Sequence, residues 1–423
     1  MNLDVLSADV IGDVALVLAA SALLGAVARR LGQPTVIGQL LAGVLLGPSL
    51  LGRLPGHLTN RLFTHAAVPC ISVIAQLAVV IFMFTVGYEI DFRLLRGRGR
   101  GRAAPLIAAG ALLVPLGLGS GLAVAARHTF ISIGEAHTGR SFVLFMGVAI
   151  SVTALPVLAS IVRERGLAGT VAGTIATAAA GIMDVAAWLV LAVALIGTSA
   201  ASKRPWLETV LLLAGFIVLM LFVIRPLLRW RLRRPGTLLT SQIPLALVLA
   251  ATSAWVTATL GLHPVFGAFL AGLTMPSRDE APDADVLRVM EQAGSLLLPL
   301  FFVVTGLTMN IGALNGGDAV LLLVIVACAM LGKIGPAYGA ARLSRLDRRQ
   351  SATIASLVNT RGLTELIALN VGLSAGVIDQ RLFTILVLMA LITTMATGPL
   401  ITAIGRTGRD QEASLRPRPV VQG

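Results

Sequence analysis

The chain has 423 residues, of which 56% are hydrophobic and only 13% charged, with a formal net charge of +13. Apolar blocks of about 18 to 25 residues, each able to cross ~30 Å of hydrocarbon as a helix, follow one another almost without a break. That excludes a water-soluble globule, and the lack of alternating polarity excludes a transmembrane β-barrel. The positive charge would suggest nucleic acid in a soluble chain. Here it lies in short loops between apolar blocks and faces lipid headgroups instead.

In chain order, residues 1–9 are polar and acidic and lack the basic start of a cleaved signal peptide. Thirteen transmembrane helices are predicted over 10–28, 35–51, 68–88, 103–126, 141–162, 168–196, 207–224, 238–258, 262–275, 293–311, 319–341, 351–373 and 382–404. The ninth is short and bracketed by Pro264 and Pro276, which predicts a tilted or broken segment. Cys70 and Cys328 fall in or near spans, so no disulfide framework is implied. A short cytoplasmic tail, 406–423, closes the chain.

Of the 33 Lys and Arg residues, 24 sit in loops on one side of this topology, 7 on the other and 2 inside spans. Basic loops stay in the cytoplasm, so the N-terminus is expected outside and the C-terminus inside a cell (inner) membrane. Four ionisable residues stand near the middle of spans: Asp184, Lys333, Arg361 and Glu365. Each costs about 2.5 to 3.5 kcal/mol at the bilayer centre on insertion scales, so such residues mark ion paths or pairing partners. Lys333 is one of only two lysines in a chain that otherwise uses arginine. A buried amine can release its proton, whereas a guanidinium cannot.

Gly38-Gln-Leu-Leu-Ala-Gly43 in the second span recurs as Gly267-Ala-Phe-Leu-Ala-Gly272 in the ninth, each flanked by prolines (Pro34 and Pro48, Pro264 and Pro276). Phe82, Gly87 and Asp91 of the third span recur as Phe301, Gly306 and Asn310 of the tenth. The paired spans run in opposite directions. That predicts two inverted six-helix repeats, about 10–196 and 238–404, joined by a linker helix over 207–224. The same pairing relates the fifth span to the twelfth, and both carry helix breakers at mid-depth: Ser151-Val-Thr153-Ala-Leu-Pro156 and Asn359-Thr360-Arg361-Gly362. Unwound segments there could offer carbonyls and half-helix ends to an ion.

The chemistry is expected to centre on Asp184, the only acid in the sixth span, with Thr153 and Ser151 beside it in the ion and proton site. A carboxylate can hold a desolvated cation or a proton but not both, and such exclusive occupancy suffices for exchange. Lys333 is the expected counter-charge. Arg361 and Glu365, four residues apart on one helix, are expected to pair structurally. Pro156, Asn359, Thr360 and Gly362 mark the helix breaks.

At these residues the chain resembles the monovalent cation:proton antiporter-2 family, which contains the Kef-type and Nap-type exchangers. The matching motifs run from Gln33 to Leu400. They include Gln33-Pro-Thr-Val-Ile-Gly38, Leu46-Gly-Pro-Ser49, Phe84-Thr-Val-Gly-Tyr-Glu-Ile-Asp91, Asp184-Val-Ala-Ala-Trp188, His263 to Pro276, Phe301 to Leu307 and Asn359-Thr-Arg-Gly-Leu-Thr-Glu365. The resemblance implies the sodium/proton antiporter fold, an all-α polytopic protein whose two crossed discontinuous helices sit in a core that moves against a dimerising scaffold. It implies that Asp184 binds the ion, that Lys333 competes for it, and that a homodimer exchanges Na+ or K+ for H+. Met183 departs from the family, which commonly carries a polar or acidic residue there; a thioether suits a hard cation poorly. With so short a tail, the chain is expected to lack the nucleotide-binding regulatory domain of Kef-type proteins.

The expected function is therefore cation/proton antiport, 1:1, in a lipid bilayer, with no cofactor, no resident metal and no nucleic-acid partner. The alternatives are a proton-coupled exporter of an organic ion on the same fold, or a cation channel or uniporter. The sequence lacks the carbonyl-ring filter of potassium channels. An enzyme is not expected: there is no His-Glu-x-x-His, four histidines (His57, His65, His128, His137) fall in outer loops, and His263 reads as a turn residue before Pro264.

Overall fold

The computed structural model describes residues 3–33, 35–47, 49–51, 63–64, 66–89, 102–132, 139–167, 170–195, 206–232, 242–260, 262–276 and 282–415. Pro34, Pro48, Asp91, three of the histidines (His57, His65 and His137) and residues 416–423 of the tail lie outside them. The helices are α1 (Leu3–Arg30), α2 (Thr35–Leu46), α3 (Ala67–Glu89), α4 (Ala103–Ala125), α5 (Arg140–Ser151), α6 (Leu155–Glu164) and α7 (Val171–Leu195). After them comes α8, which is Trp206–Val218 continued through a π-helical stretch, Leu219–Ile224, into Arg225–Leu232. The rest are α9 (Gln242–Thr259), α10 (Pro264–Thr274), α11 (Ala284–Thr308), α12 (Gly316–Leu343), α13 (Arg348–Val358), α14 (Leu363–Ser374) and α15 (Gln380–Leu415). A short helix, Arg127–Ser132, trails α4.

Among the described residues, nine helices are long and apolar enough to cross a membrane. The other predicted spans take different forms. The second and ninth are the 12-residue α2 and the 11-residue α10. The fifth and twelfth are each two half-helices, α5 with α6 and α13 with α14. The helix predicted over 207–224 runs on to Leu232 as α8; its π turn widens the backbone just ahead of Pro226, whose ring would crowd the carbonyl four residues back.

Local signals set the helix starts. His263 is extended and its ring nitrogen accepts the Val265 N–H, with Pro264 at the first helical position, so the turn reading of His263 holds as an N-cap. Asn315 and Asp318 form a capping box at α12, and Asp347 caps α13 through the Gln350 amide.

Every extensively packed helix pair falls within one of two bundles. One bundle holds α1, α2, α3 and α9, α10, α11, with α8 against α10. The other holds α4, α5/α6, α7 and α12, α13/α14, α15. Each bundle thus takes three consecutive spans from either half of the chain. The repeated glycine segments explain the tight packing of the first bundle. A Cβ at Gly43 of α2 would stand 2.8 Å from the Cα atoms of both Val303 and Gly306 in α11. Gly272 of α10 meets the backbone of α3 at Gly87 and Tyr88 in the same way. With no hydrophobic drive between helices in lipid, such close backbone contact is what holds them together.

Because backbone cannot give way, Gly43→Ala is expected to overpack the α2–α11 contact and cost about 1–3 kcal/mol. The measurement is the thermal unfolding midpoint of the purified protein. Gly117→Ala, where an added Cβ meets nothing within 4 Å, should leave that midpoint unchanged.

Candidate functional site

The two discontinuous helices cross in the middle of the second bundle. Between α5 and α6 the chain is unwound at 152–154, and between α13 and α14 at 359–362. The strands of this crossing are stitched by the Ala154 N–H donating to the Thr360 carbonyl at 3.1 Å and by Thr153 Oγ1 donating to the Val358 carbonyl at 3.0 Å. Gly362 permits the approach: a Cβ there would stand 2.5 Å from Val157 Cγ2 and 3.4 Å from Ala154 Cβ. Pro156 is the second residue of α6, a place where a helix lacks an amide partner anyway, so the proline opens the second half-helix.

Breaking a helix inside a membrane frees its last four carbonyls. At the end of α5 all four are taken by buried cations. Arg361 Nη1 donates to the Ala149 carbonyl at 2.7 Å and its Nη2 to the Ile150 carbonyl. Lys333 Nζ donates to the Ser151 carbonyl at 2.5 Å and the Val152 carbonyl at 2.6 Å. Both side chains are fully buried. Two positive charges at the negative end of a half-helix are also favoured by its dipole. The other break is held by neutral donors: Thr394 Oγ1 to the Arg361 carbonyl at 3.0 Å and Asn359 Nδ2 to the Thr393 carbonyl at 3.4 Å.

The acids occupy the positive ends. Glu365 stands in the first turn of α14 and accepts from Arg361 Nη1 at 2.6 Å, both side chains fully buried. Asp184 on α7 faces the Leu155 amide at the start of α6 without closing a hydrogen bond to it. It is fully buried, and neither carboxylate oxygen has a hydrogen-bond partner. Lys333 lies within electrostatic range of Asp184, Glu365 and Arg361 but makes no ion pair with Asp184. Other buried oxygens on the second unwound segment and the turn after it also lack partners: Asn359 Oδ1, Thr360 Oγ1, Thr364 Oγ1 and Glu365 Oε2.

The structure therefore brings Thr153, Lys333, Arg361, Glu365, Asn359, Thr360 and Gly362 to one crossing, with Asp184 against it. Ser151 contributes its carbonyl to Lys333, while its hydroxyl turns back to the Val148 carbonyl at 3.1 Å. Met183 is buried with its sulfur 3.8 Å from Thr153 Oγ1.

A family model described as the transmembrane sodium/hydrogen exchanger matches residues 16–407. The chain belongs to the sodium/hydrogen exchanger family. Among similar exchanger sequences, Cation/H(+) antiporter 20 of Arabidopsis thaliana is 37% identical over 95% of this chain and 49% of its own length. Na(+)/H(+) antiporter NhaS4 of Synechocystis is 31% identical over 93% of this chain and 97% of its own. The chain spans about half the length of the plant relatives. The exchanger fold is seen in the sodium proton antiporter MjNhaP1 from Methanocaldococcus jannaschii at pH 8, with TM-score 0.64, 17% identity, and coverage of 95% of this chain and 97% of that one. The resemblance read from the motifs and the all-α antiporter fold are both borne out.

Sequence reasoning about this chain passes over Thr393 and Thr394, which tie the second break to α15, and Thr364. Hydroxyls in apolar spans carry no signal until their partners are known. It also passes over Asp13, near the start of the first span, which is buried in α1 with Oδ2 unpartnered.

Arg361→Met is expected to strand two carbonyls and Glu365, at a cost of about 3–5 kcal/mol. Adding Glu365→Leu should recover part of that loss, since the lone acid is then gone. Thermal unfolding of both variants checks this.

Proposed function

We propose that this chain is a secondary active antiporter that exchanges a monovalent cation, Na+ or K+, for H+ by alternating access. Family membership supports the transporter reading over an enzymatic one, and relatives carry the names Na(+)/H(+) antiporter and K(+)/H(+) antiporter. The observation that carries the mechanism is Asp184, a fully buried carboxylate whose oxygens have no protein partner. A carboxylate in low dielectric is stable only when a positive species meets it. A proton and a metal cation serve equally, and each excludes the other. The unpartnered oxygens of Asn359 and Thr360 are of the kind a hard cation takes as further ligands.

Lys333 and Arg361 act on the site through the interior rather than by contact with Asp184, because their donors are held by the α5 carbonyls. Lys333 serves as the counter-charge when Asp184 is ionised. With one free acid, one cation leaves for each proton that enters, so no net charge moves. The two bundles provide the alternation, the one with the crossing shifting against the other. In the reading from charge, the chain lies in a cell membrane with its N-terminus outside, and the family resemblance supports a homodimer.

The test is cation-dependent dissipation of a pH gradient in proteoliposomes, with Na+, K+ and Li+ compared. Asp184→Asn should abolish it while leaving the thermal midpoint in place; persistence of exchange in that variant refutes the assignment. Since the proton competes for the same carboxylate, acidification should raise the apparent KM for the cation, by about tenfold per pH unit on the acid limb. An imposed voltage should leave the 1:1 rate unchanged.

A further inference from the structure

Among the described residues, the aromatic contacts and side-chain hydrogen bonds that join the two bundles lie toward one end. Trp188 on α7 packs edge-on against Phe266 of α10, ring centroids 5.9 Å apart and planes at 82°, and lies 6.3 Å from Phe269 at 31°. Asn370 Nδ2 on α14 donates to Thr305 Oγ1 on α11 at 3.0 Å. The Asn310 N–H, just past α11, reaches Thr384 Oγ1 of α15 at 3.5 Å. These residues gather toward the C-terminal ends of α7, α11 and α14 and the N-terminal ends of α10 and α15. In the topology set by the arginine count, that end is the outer one.

Trp188 stands one helical turn beyond Asp184 on the same face of α7. All three rings are buried. In the repeated glycine segment, Phe266 and Phe269 take the positions that Ile37 and Leu40 hold in α2. The inverted halves therefore differ here: α10 offers rings where α2 offers aliphatic chains.

Resting on the antiport reading, we propose that Trp188, clasped by Phe266 and Phe269, is the outer gate of the exchanger. In this conformation the indole closes the path from the outer end to Asp184, and it must leave α10 before that path can open. It touches neither cation nor proton; it is a positioning residue that keeps the two access paths from being open together. Among the described residues the ring contacts between the bundles lie on this side, and they tilt the balance toward the outwardly closed state.

The test is proton leak and coupling in proteoliposomes. Trp188→Ala should raise cation-independent proton leak on the order of tenfold, equivalent to about 1.4 kcal/mol of lost closure, and lower the cations moved per proton. Phe269→Leu, which copies the α2 side, should do the same more weakly and keeps the test open if Trp188→Ala does not fold. Trp188→Phe should restore tight coupling. Trp255→Ala, removing an exposed indole on α9, controls for loss of a tryptophan. A merely structural Trp188 would lower the thermal midpoint without leak. Wild-type leak and stoichiometry in Phe269→Leu, or in a folded Trp188→Ala, would overturn the gate while leaving antiport intact. Absence of cation-dependent exchange in the wild-type protein would remove antiport itself, and the gate with it.

Discussion

Four carbonyls at the end of α5, held by Lys333 and Arg361, are the constraint on which the site depends. An interrupted helix cannot sit in a membrane interior with its last carbonyls bare. The cations answer that need in different ways. The Arg361 fork spans two successive carbonyls and still reaches Glu365, whereas the compact ammonium of Lys333 fits between the Ser151 and Val152 carbonyls. Both charges are thereby kept close to Asp184 without neutralising it by contact. The carboxylate faces the positive end of the next half-helix, and its oxygens stay without a hydrogen-bond partner.

The proposed alternation requires a rigid bundle around the site. Rigidity comes from the stitched crossing, from Thr394 on the Arg361 carbonyl, and from the Arg381–Asp318 ion pair at 2.7 Å between α12 and α15. The first bundle gains its own rigidity from glycine contacts such as Gly43 with Gly306. Between the bundles, the described side-chain contacts are the Trp188 ring pairs and the Asn370–Thr305 and Asn310–Thr384 hydrogen bonds. In the proposed antiport cycle, one such unit shifts against the other without either unfolding.

Met183 narrows the chemistry further. Where the resembling family places a polar or acidic side chain, this chain buries a thioether against the Thr153 hydroxyl. The soft sulfur adds no negative charge beside Asp184 and no good ligand for a hard cation. That is the arrangement from which the proposed 1:1 exchange follows.

Much of this was legible in the sequence because the governing rules are local. Hydrocarbon thickness sets span length, so the long helices announce themselves, and proline and glycine at mid-depth in two symmetric spans announce the breaks. Asp184 and Glu365 stand out because acids are costly in lipid wherever they lie. Partner choice was not legible. Lys333 meets carbonyls 181 and 182 positions away, and Arg361 reaches 211 and 212 positions back to the end of α5. Which group lies opposite is fixed by how the helices cross, and neither residue type nor spacing encodes that crossing. The same holds for Trp188 on Phe266 and for the threonines of α15. Sequence determined the elements and the charges, since a bilayer acts on each residue singly; tertiary structure decided the pairings, since a hydrogen bond needs two groups brought to one place.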